Sequence, residues 1–185
     1  YQVRSITRNV SKAPQFEQGK VEWLEGSATD PEALKKALHS VDGVISTIGP
    51  DGLGKTTLYS DSAKAIISAM KEAKVNRLVA VTSERVSPSL GWFKKKIMWG
   101  LLGNLLKDIE VMEDIFANLQ DKEIEWTIVR PFRLKNGPLT GKYRVGPSDM
   151  QPPFVNVSHR SDLGEFLIKE FKEKKWNNQF VSMGM

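Results

Sequence analysis

The residues Gly49-Pro50-Asp51-Gly52-Leu53-Gly54-Lys55-Thr56 match the pattern G-x-x-x-x-G-K-[ST] in full. Such a loop suits phosphate chemistry. Its glycines let main-chain N–H groups face phosphate oxygens, its Lys neutralises charge and its hydroxyl holds Mg²⁺. The setting also agrees, because the apolar run Val44-Ile45-Ser46-Thr47-Ile48 precedes it and a helical pattern follows. Against this, the pattern fixes only about four positions and recurs by chance. A nucleotide hydrolase also needs an acidic residue ending a second apolar strand to place the metal. Leu78-Val79-Ala80-Val81 instead runs into Thr82-Ser83, and Ile128-Val129 runs into Arg130-Pro131. The motif is therefore expected to be a strand-to-helix connection, with nucleotide hydrolysis through Gly49–Thr56 as the third of three functional readings.

Other reactive side chains are few. The 185 residues include no Cys and two His, His39 and His159, far apart in sequence. Disulfides, thiolate metal sites and cysteine nucleophiles are excluded together, and no metal site is expected. The redox compartment stays open, with the cytoplasm as the default location. The net charge of +5 comes from 27 basic and 22 acidic residues. That excess is small, and basic residues sit beside acids, as in Lys169-Glu170-Phe171-Lys172-Glu173-Lys174-Lys175. A solvated helix face explains this stretch, and no nucleic-acid partner is expected. No apolar run reaches the roughly 18 residues a membrane span needs.

The elements that must carry these residues alternate. Strands are expected at Val3–Arg8, Val21–Glu25, Val44–Ile48, Leu78–Val81, Trp126–Val129 (stopped by Arg130-Pro131), near Tyr143, and at Phe180–Met183. A helix should start at Thr29-Asp30-Pro31-Glu32, where a capping side chain, a first-turn Pro and an acid coincide. Ala63, Ile66, Ile67 and Met70 give the apolar face of a helix over Leu58–Lys74. Further helices are expected at about Lys94–Gln120, broken near Gly100 and Gly103, and at Ser161–Lys174. Residues Phe132 to Pro153, rich in Pro and Gly, read as a functional loop. Alternation of this kind predicts one α/β domain over residues 1–185, doubly wound, with a mainly parallel sheet.

Taken in order, these pieces resemble the atypical short-chain dehydrogenase/reductase group that binds NAD(P)H, especially the branch with biliverdin reductase B and related flavin reductases. Val3–Arg8 followed by Asn9 looks like the second strand of that fold. Gly26-Ser27-Ala28-Thr29-Asp30 resembles the turn after its third strand, Val44–Gly49 its fourth strand, and Val79–Ser83 its fifth. Trp126-Thr127-Ile128-Val129-Arg130-Pro131 is a close match to the sixth. Gly137–Gly141 and Val157–Leu163 resemble its late loop and last helix entry. The likeness covers essentially the whole chain.

The resemblance implies a Rossmann-like fold and a role for each piece. Arg8, with Asn9 beside it, would bind the 2′-phosphate of NADP, so that NADP(H) is preferred over NAD(H). Ser27 and Ala28 would lie against the adenine, although the family often has an acid where Ser27 stands. Thr47, Ile48 and Gly49 would line the crevice at the ribose and pyrophosphate, at the carboxyl ends of strands. Pro131 and Phe132 would flank the nicotinamide. Ser83 is the candidate catalytic contact and would orient a substrate; a strand-end hydroxyl bonded to backbone is the alternative.

Two departures shape the functional expectation. The glycine-rich turn of the first βα unit and its strand are missing, a strand that would normally lie between Val3 and Val44. The chain is thus expected to be an incomplete copy of a longer protein. The usual Tyr-x-x-x-Lys pair is also absent: Ser5, Ala63 and Pro147 stand four residues after Tyr1, Tyr59 and Tyr143, and Gly103 stands four before Lys107. Carbonyl reduction needs a proton donor near the reacting oxygen, whereas a conjugated acceptor can take its proton from solvent. An NADPH-dependent reductase of a flavin, quinone or similar flat acceptor is therefore the first reading, and a non-catalytic NADP(H) sensor the second. Finally, Leu90–Leu106 is unusually apolar. It reads as a lid helix bearing Trp92 and Phe93, as a subunit interface, or as a membrane contact through Trp92–Leu106. A monomer or a homodimer fits.

Overall fold

The computed structural model describes residues 1–13, 20–52, 54–84, 92–131, 133–147 and 157–184. Side chains at 92–95, 97–99 and 101 lie outside that description. Nine strands and four α-helices appear among these residues. The strands are β1 (Val3–Thr7), β2 (Val21–Glu25), β3 (Val44–Ser46), β4 (Arg77–Val81), β5 (Glu125–Pro131), β6 (Leu134–Lys135), β7 (Arg144–Pro147), β8 (Ser158–His159) and β9 (Gln179–Gly184). The helices are α1 (Pro31–Ala37), α2 (Leu58–Ala73), α3 (Trp92–Ala117) and α4 (Arg160–Glu173).

The main sheet has five strands in the order β3-β4-β5-β9-β7, parallel except for the antiparallel edge strand β7. β1 and β2 form a separate parallel pair, and β6 and β8 a second one. The expected α/β architecture with a mainly parallel, Rossmann-like sheet is what the chain adopts. Side-chain alternation divides the core. Leu78 and Ala80 of β4 face α2 and α3, against Ile66, Met70, Met112 and Phe116. Val79 and Val81 face the other way, onto Leu163, Phe166 and Leu167 of α4. Both faces are covered, which explains why β4 is buried throughout and apolar rather than alternating.

α1 joins the β1–β2 pair to the rest. Asp30 accepts from Glu32 N at 3.0 Å and Pro31 opens the first turn, so the expected start holds. Its C-terminal carbonyls meet Arg4, whose Nη1 lies 3.3, 3.0 and 2.8 Å from the oxygens of Lys36, Ala37 and His39. Gly26 permits this packing, since a Cβ there would sit 2.5 Å from the Cβ of Ala33. The facing edges of β1 and β3 have no strand partner among the described residues. Val3 and Ile45, on those two strands, are 49% and 41% exposed.

Three expectations are corrected. Helix α3 passes through Gly100 and Gly103 without the expected break. Two glycines cost about 1 kcal/mol each in a helix interior, and the packing of Asp108, Met112 and Phe116 of α3 on α2 offsets that. β5 does not stop before Arg130-Pro131; these residues pair with Ser182 and Met183 of β9, a neighbour remote in sequence. The loop between Phe132 and Pro153 also holds β6, which pairs with β8. Among the described residues no helix is long and apolar enough to cross a membrane. Trp92–Leu106 is the first part of α3, and the Trp92 and Phe93 side chains that would separate lid, interface and membrane contact lie outside the described residues.

Candidate functional site

β1 and β2 run parallel, as do β3 to β5, and the 2.6 Å contact of Arg8 with Asp51 sets the carboxyl end of β1 beside that of β3, the end at which open α/β sheets bind ligands. Arg8 and Asn9 follow β1, Ser27 and Ala28 follow β2, Thr47 to Gly49 follow β3, and Ser83 follows β4. Pro131 ends β5 and is buried; Phe132 lies outside the described residues.

Their surroundings differ. Asn9 Oδ1 accepts from Ser11 N at 2.9 Å and from Ser11 Oγ at 2.6 Å, capping a short 3-10 turn. Ser27 Oγ meets Thr29 Oγ1 at 2.9 Å and accepts from Thr29 N at 3.2 Å, so its hydroxyl serves the turn into α1. Ala28 is half-buried beside it. Thr47 and Gly49 are exposed, while Ile48 packs on the core. The Tyr59 hydroxyl would lie 3.4 Å from a Cβ at position 49. Ser83 is half-buried, and no described residue hydrogen-bonds its hydroxyl. Arg8 is exposed and paired to Asp51, Nη2 to Oδ2, at 2.6 Å.

Among its described residues, the loop Gly49–Thr56 lacks the glycine geometry of a phosphate cradle. Gly52 and Gly54 have open space where a Cβ would stand, and neither has a positive φ. The N-terminus of α2, the seat a phosphate loop would use, is already filled. Asp108 of α3 accepts from Tyr59 N at 2.8 Å and from Ser60 N at 3.2 Å. Burial, and then this carboxylate, pushes the Tyr59 phenol up. Thr56 Oγ1, the magnesium ligand of the motif, accepts instead from Leu58 N. Among the described residues no cluster of three His, Asp or Glu side chains is placed to hold a metal.

Beneath the strand ends lies an ion pair that sequence reasoning missed. Arg130 donates from Nε and Nη2 to Glu113 of α3 at 2.7 and 2.6 Å. Both are buried, Thr82 Oγ1 donates to the same carboxylate at 3.1 Å, and the guanidinium lies 4.4 Å from the centre of the Phe180 ring. This network fixes Thr82 and Arg130, the neighbours of Ser83 and Pro131. A charged residue inside an apolar strand demands such a partner, and Arg130 was the visible signal. The partner, on a preceding helix, was not.

A second clamp holds the late loop. Asp162, fully buried at the start of α4, accepts from Thr140 N, Gly141 N and Thr140 Oγ1 at 2.7, 3.0 and 2.9 Å. Burial alone would push this carboxyl up. The three hydrogen bonds, with His159 3.7 Å away, outweigh it and hold the carboxyl below the usual carboxylate range. His159 Nδ1 meets Pro138 O at 2.9 Å, and its ring occupies the space a Cβ on Gly137 would need, at 2.6 Å. A cavity of about 180 Å³ between α4 and β7, lined by Tyr143, Phe166 and Trp176, contains none of the predicted site residues.

The chain matches the NAD(P)H-binding family over residues 1–174 and belongs to that family. The photosystem II assembly factor Ycf39 of Cyanophora paradoxa is 25% identical over 192 aligned positions, covering 97% of this chain and 54% of that protein. The chain spans about half the length of the curated relatives it matches, 54% and 56% of the two. Among solved structures, a short-chain dehydrogenase/reductase of Veillonella parvula in complex with NADP superposes with a TM-score of 0.73, at 16% identity, over 91% of this chain and 74% of its own. ChuY of Escherichia coli O157:H7, described as an anaerobilin reductase, superposes with a TM-score of 0.73, at 17% identity, over 98% and 84%. At such identities the two structures establish the shared fold.

Proposed function

We propose that the protein is an NADPH-dependent reductase that delivers hydride to a flat conjugated acceptor, a flavin or a quinone. What supports this reading is that Arg8, Thr47, Gly49 and Ser83 each follow, and Pro131 ends, a strand that runs parallel to its neighbour, in a chain of an NAD(P)H-binding family. The cofactor, when bound, supplies the hydride; the chain supplies binding and orientation.

The residues fit part of that cofactor well. The exposed Arg8 guanidinium suits a 2′-phosphate, which would favour NADP(H) over NAD(H). Exposed Thr47 and side-chain-free Gly49 leave the main chain open to a ribose. The pyrophosphate needs main-chain donors at a helix start. α1 is capped by Asp30, and α2 by Asp108. We assign that role to a strand and glycine-rich turn entering between β1 and β3, whose facing edges lack partners among the described residues. The domain of residues 1–185 is, in this reading, a Rossmann-like domain without that first strand.

Two features favour a conjugated acceptor. No Tyr-x-x-x-Lys pair stands in the sequence, and the Ser83 hydroxyl can orient an acceptor without serving as a strong acid. ChuY, described as an anaerobilin reductase, supports a reductase role for this fold. A cytoplasmic location and a monomeric or homodimeric state go with the reading. NADPH titration of the full-length protein with NADH as control, read by tryptophan fluorescence, tests the binding half. Steady-state NADPH oxidation with flavin or quinone tests the turnover half.

Two observations favour a second reading. The missing acid pair and the curated relative named as an assembly factor suit a non-catalytic NADP(H)-sensing protein. Tight NADPH binding with no oxidation above background for any acceptor would select it.

A further inference from the structure

Between Trp126 and Ser161 the Lys and Arg residues are Arg130, Arg133, Lys135, Lys142, Arg144 and Arg160. The acid in that stretch is Asp149, which lies outside the described residues. The chain as a whole is far more balanced, with 27 basic and 22 acidic residues. The place of this excess gives it meaning. β6 follows the carboxyl end of β5 and pairs in parallel with β8. Ser158 fixes this small sheet to the strand ends: its N donates to Arg133 O at 3.0 Å, and its Oγ to Met183 O of β9 at 3.2 Å. Leu134 packs inward on the core, so by alternation its neighbours Arg133 and Lys135 point outward. Lys135 lies opposite His159 in the register, and Arg160, next in the chain, donates from Nη1 to Asn136 Oδ1 at 3.0 Å. Arg130 is spent on Glu113. Arg133, Lys135 and Arg160 are exposed, and none has an ion-pair partner among the described residues. The acids early in α4 are engaged elsewhere: Asp162 holds Thr140 and Gly141, and Glu165 hydrogen-bonds Tyr143.

We infer that Arg133, Lys135 and Arg160 form a subsite for an anionic arm of the acceptor, so that the preferred acceptor is a conjugated molecule bearing a phosphate or a carboxylate. This rests on the reductase reading, in which Pro131 flanks the nicotinamide. Two residues of chain span at most about 7 Å and four at most about 14 Å. Arg133 and Lys135 are therefore held within those distances of Pro131, a range that the ribityl phosphate of a flavin mononucleotide can bridge from its ring. Uncancelled charges of one sign steer an anion toward the site. Guanidinium and ammonium groups then hold it by charge-assisted hydrogen bonds. A neutral acceptor gains neither.

The test uses the full-length protein and steady-state NADPH oxidation at low salt, with FMN against riboflavin and a naphthoquinone carboxylate against the parent naphthoquinone. Wild-type kcat/KM should favour the anionic member of a pair about tenfold, and about 0.5 M salt should erase most of that preference. A preference in one pair alone would name the anion as phosphate or as carboxylate. Arg133→Gln, Lys135→Gln and Arg160→Gln should each lower the ratio about two- to fivefold, the range of one exposed ion pair, through KM rather than kcat. Arg160→Lys should keep most of the ratio, which separates its charge from its bond to Asn136. Lys64→Gln, an exposed site on α2, controls for net charge and should leave the ratio unchanged. Equal kcat/KM within both pairs would overturn the subsite and leave the reductase reading standing. So would a ratio that survives all three Gln variants, or one that Lys64→Gln lowers as much. If the wild-type protein reduces none of the four acceptors, the reductase reading fails and the subsite with it.

Discussion

Removing the Glu113 carboxylate is the most informative single perturbation of this fold. In Glu113→Ala the Arg130 guanidinium, 5% exposed, loses both of its carboxylate contacts and keeps only the Phe180 ring. Breaking one side of a buried pair costs about 3–5 kcal/mol, chiefly because a charge is left uncompensated. Against a total stability of about 5–15 kcal/mol, that is a large share. With a urea slope of about 2 kcal/mol per molar, the unfolding midpoint should fall by about 2 M. Arg130→Met should also destabilise, because the buried Glu113 carboxylate would then lose both guanidinium contacts. The pair Glu113→Leu with Arg130→Met should recover most of the loss, since apolar replacement of a buried ion pair is often neutral or stabilising. Urea titrations read by fluorescence follow this well. Trp126 is buried, with ring centres 5.6 Å from Phe116 and 4.9 Å from Phe180. Single losses below about 1 kcal/mol that simply add in the double variant would refute the reasoning.

Three further outcomes are expected. The Asp162 carboxyl titrates lower in the folded chain than unfolded, so the unfolded chain binds more protons between the two values and stability rises with pH there. The contribution is complete above the unfolded value near 3.9 and lost as pH falls through the folded one; Asp162→Asn should therefore flatten the acid limb of stability against pH, and superimposable limbs would contradict the clamp. Gly137→Ala should destabilise by about 1–3 kcal/mol through overpacking on His159, with His159→Ala relieving much of it; an undiminished Tm in Gly137→Ala would count against that contact. Lys55→Ala should leave any ATP affinity unchanged, because Asp108 already fills the α2 N-terminus; a clear loss in equilibrium dialysis would restore the phosphate-loop reading.

Much of the fold was legible because local signals and tertiary structure agree. Pro31 after Asp30 marked α1, the spacing of Ala63, Ile66 and Met70 marked α2, and the unbroken apolar run of β4 announced burial on two faces. The misses have a common cause. β5 extends past Val129 because β9 pairs with Arg130 and Pro131, and β6 exists because β8 lies beside it. Such partners leave no trace within the strand itself. The break expected in α3 overweighted the glycine cost, which packing on α2 outweighs.

The same division runs through the candidate site. Sequence alone determined which residues follow each parallel strand: Arg8, Ser27, Thr47 to Gly49 and Ser83. Strand order within a βα unit is local, and the parallel arrangement then brings those residues to one end. Only the tertiary structure decided what each side chain is free to do. It turned Ser27 and Asn9 into turn-forming groups, set Asp51 against Arg8, and put Asp108 where the motif at Gly49–Thr56 would need a phosphate. Each of the last two pairings joins residues more than 40 positions apart. A hydrogen bond depends on a few tenths of an ångström between such groups, and no pattern along the chain carries that distance.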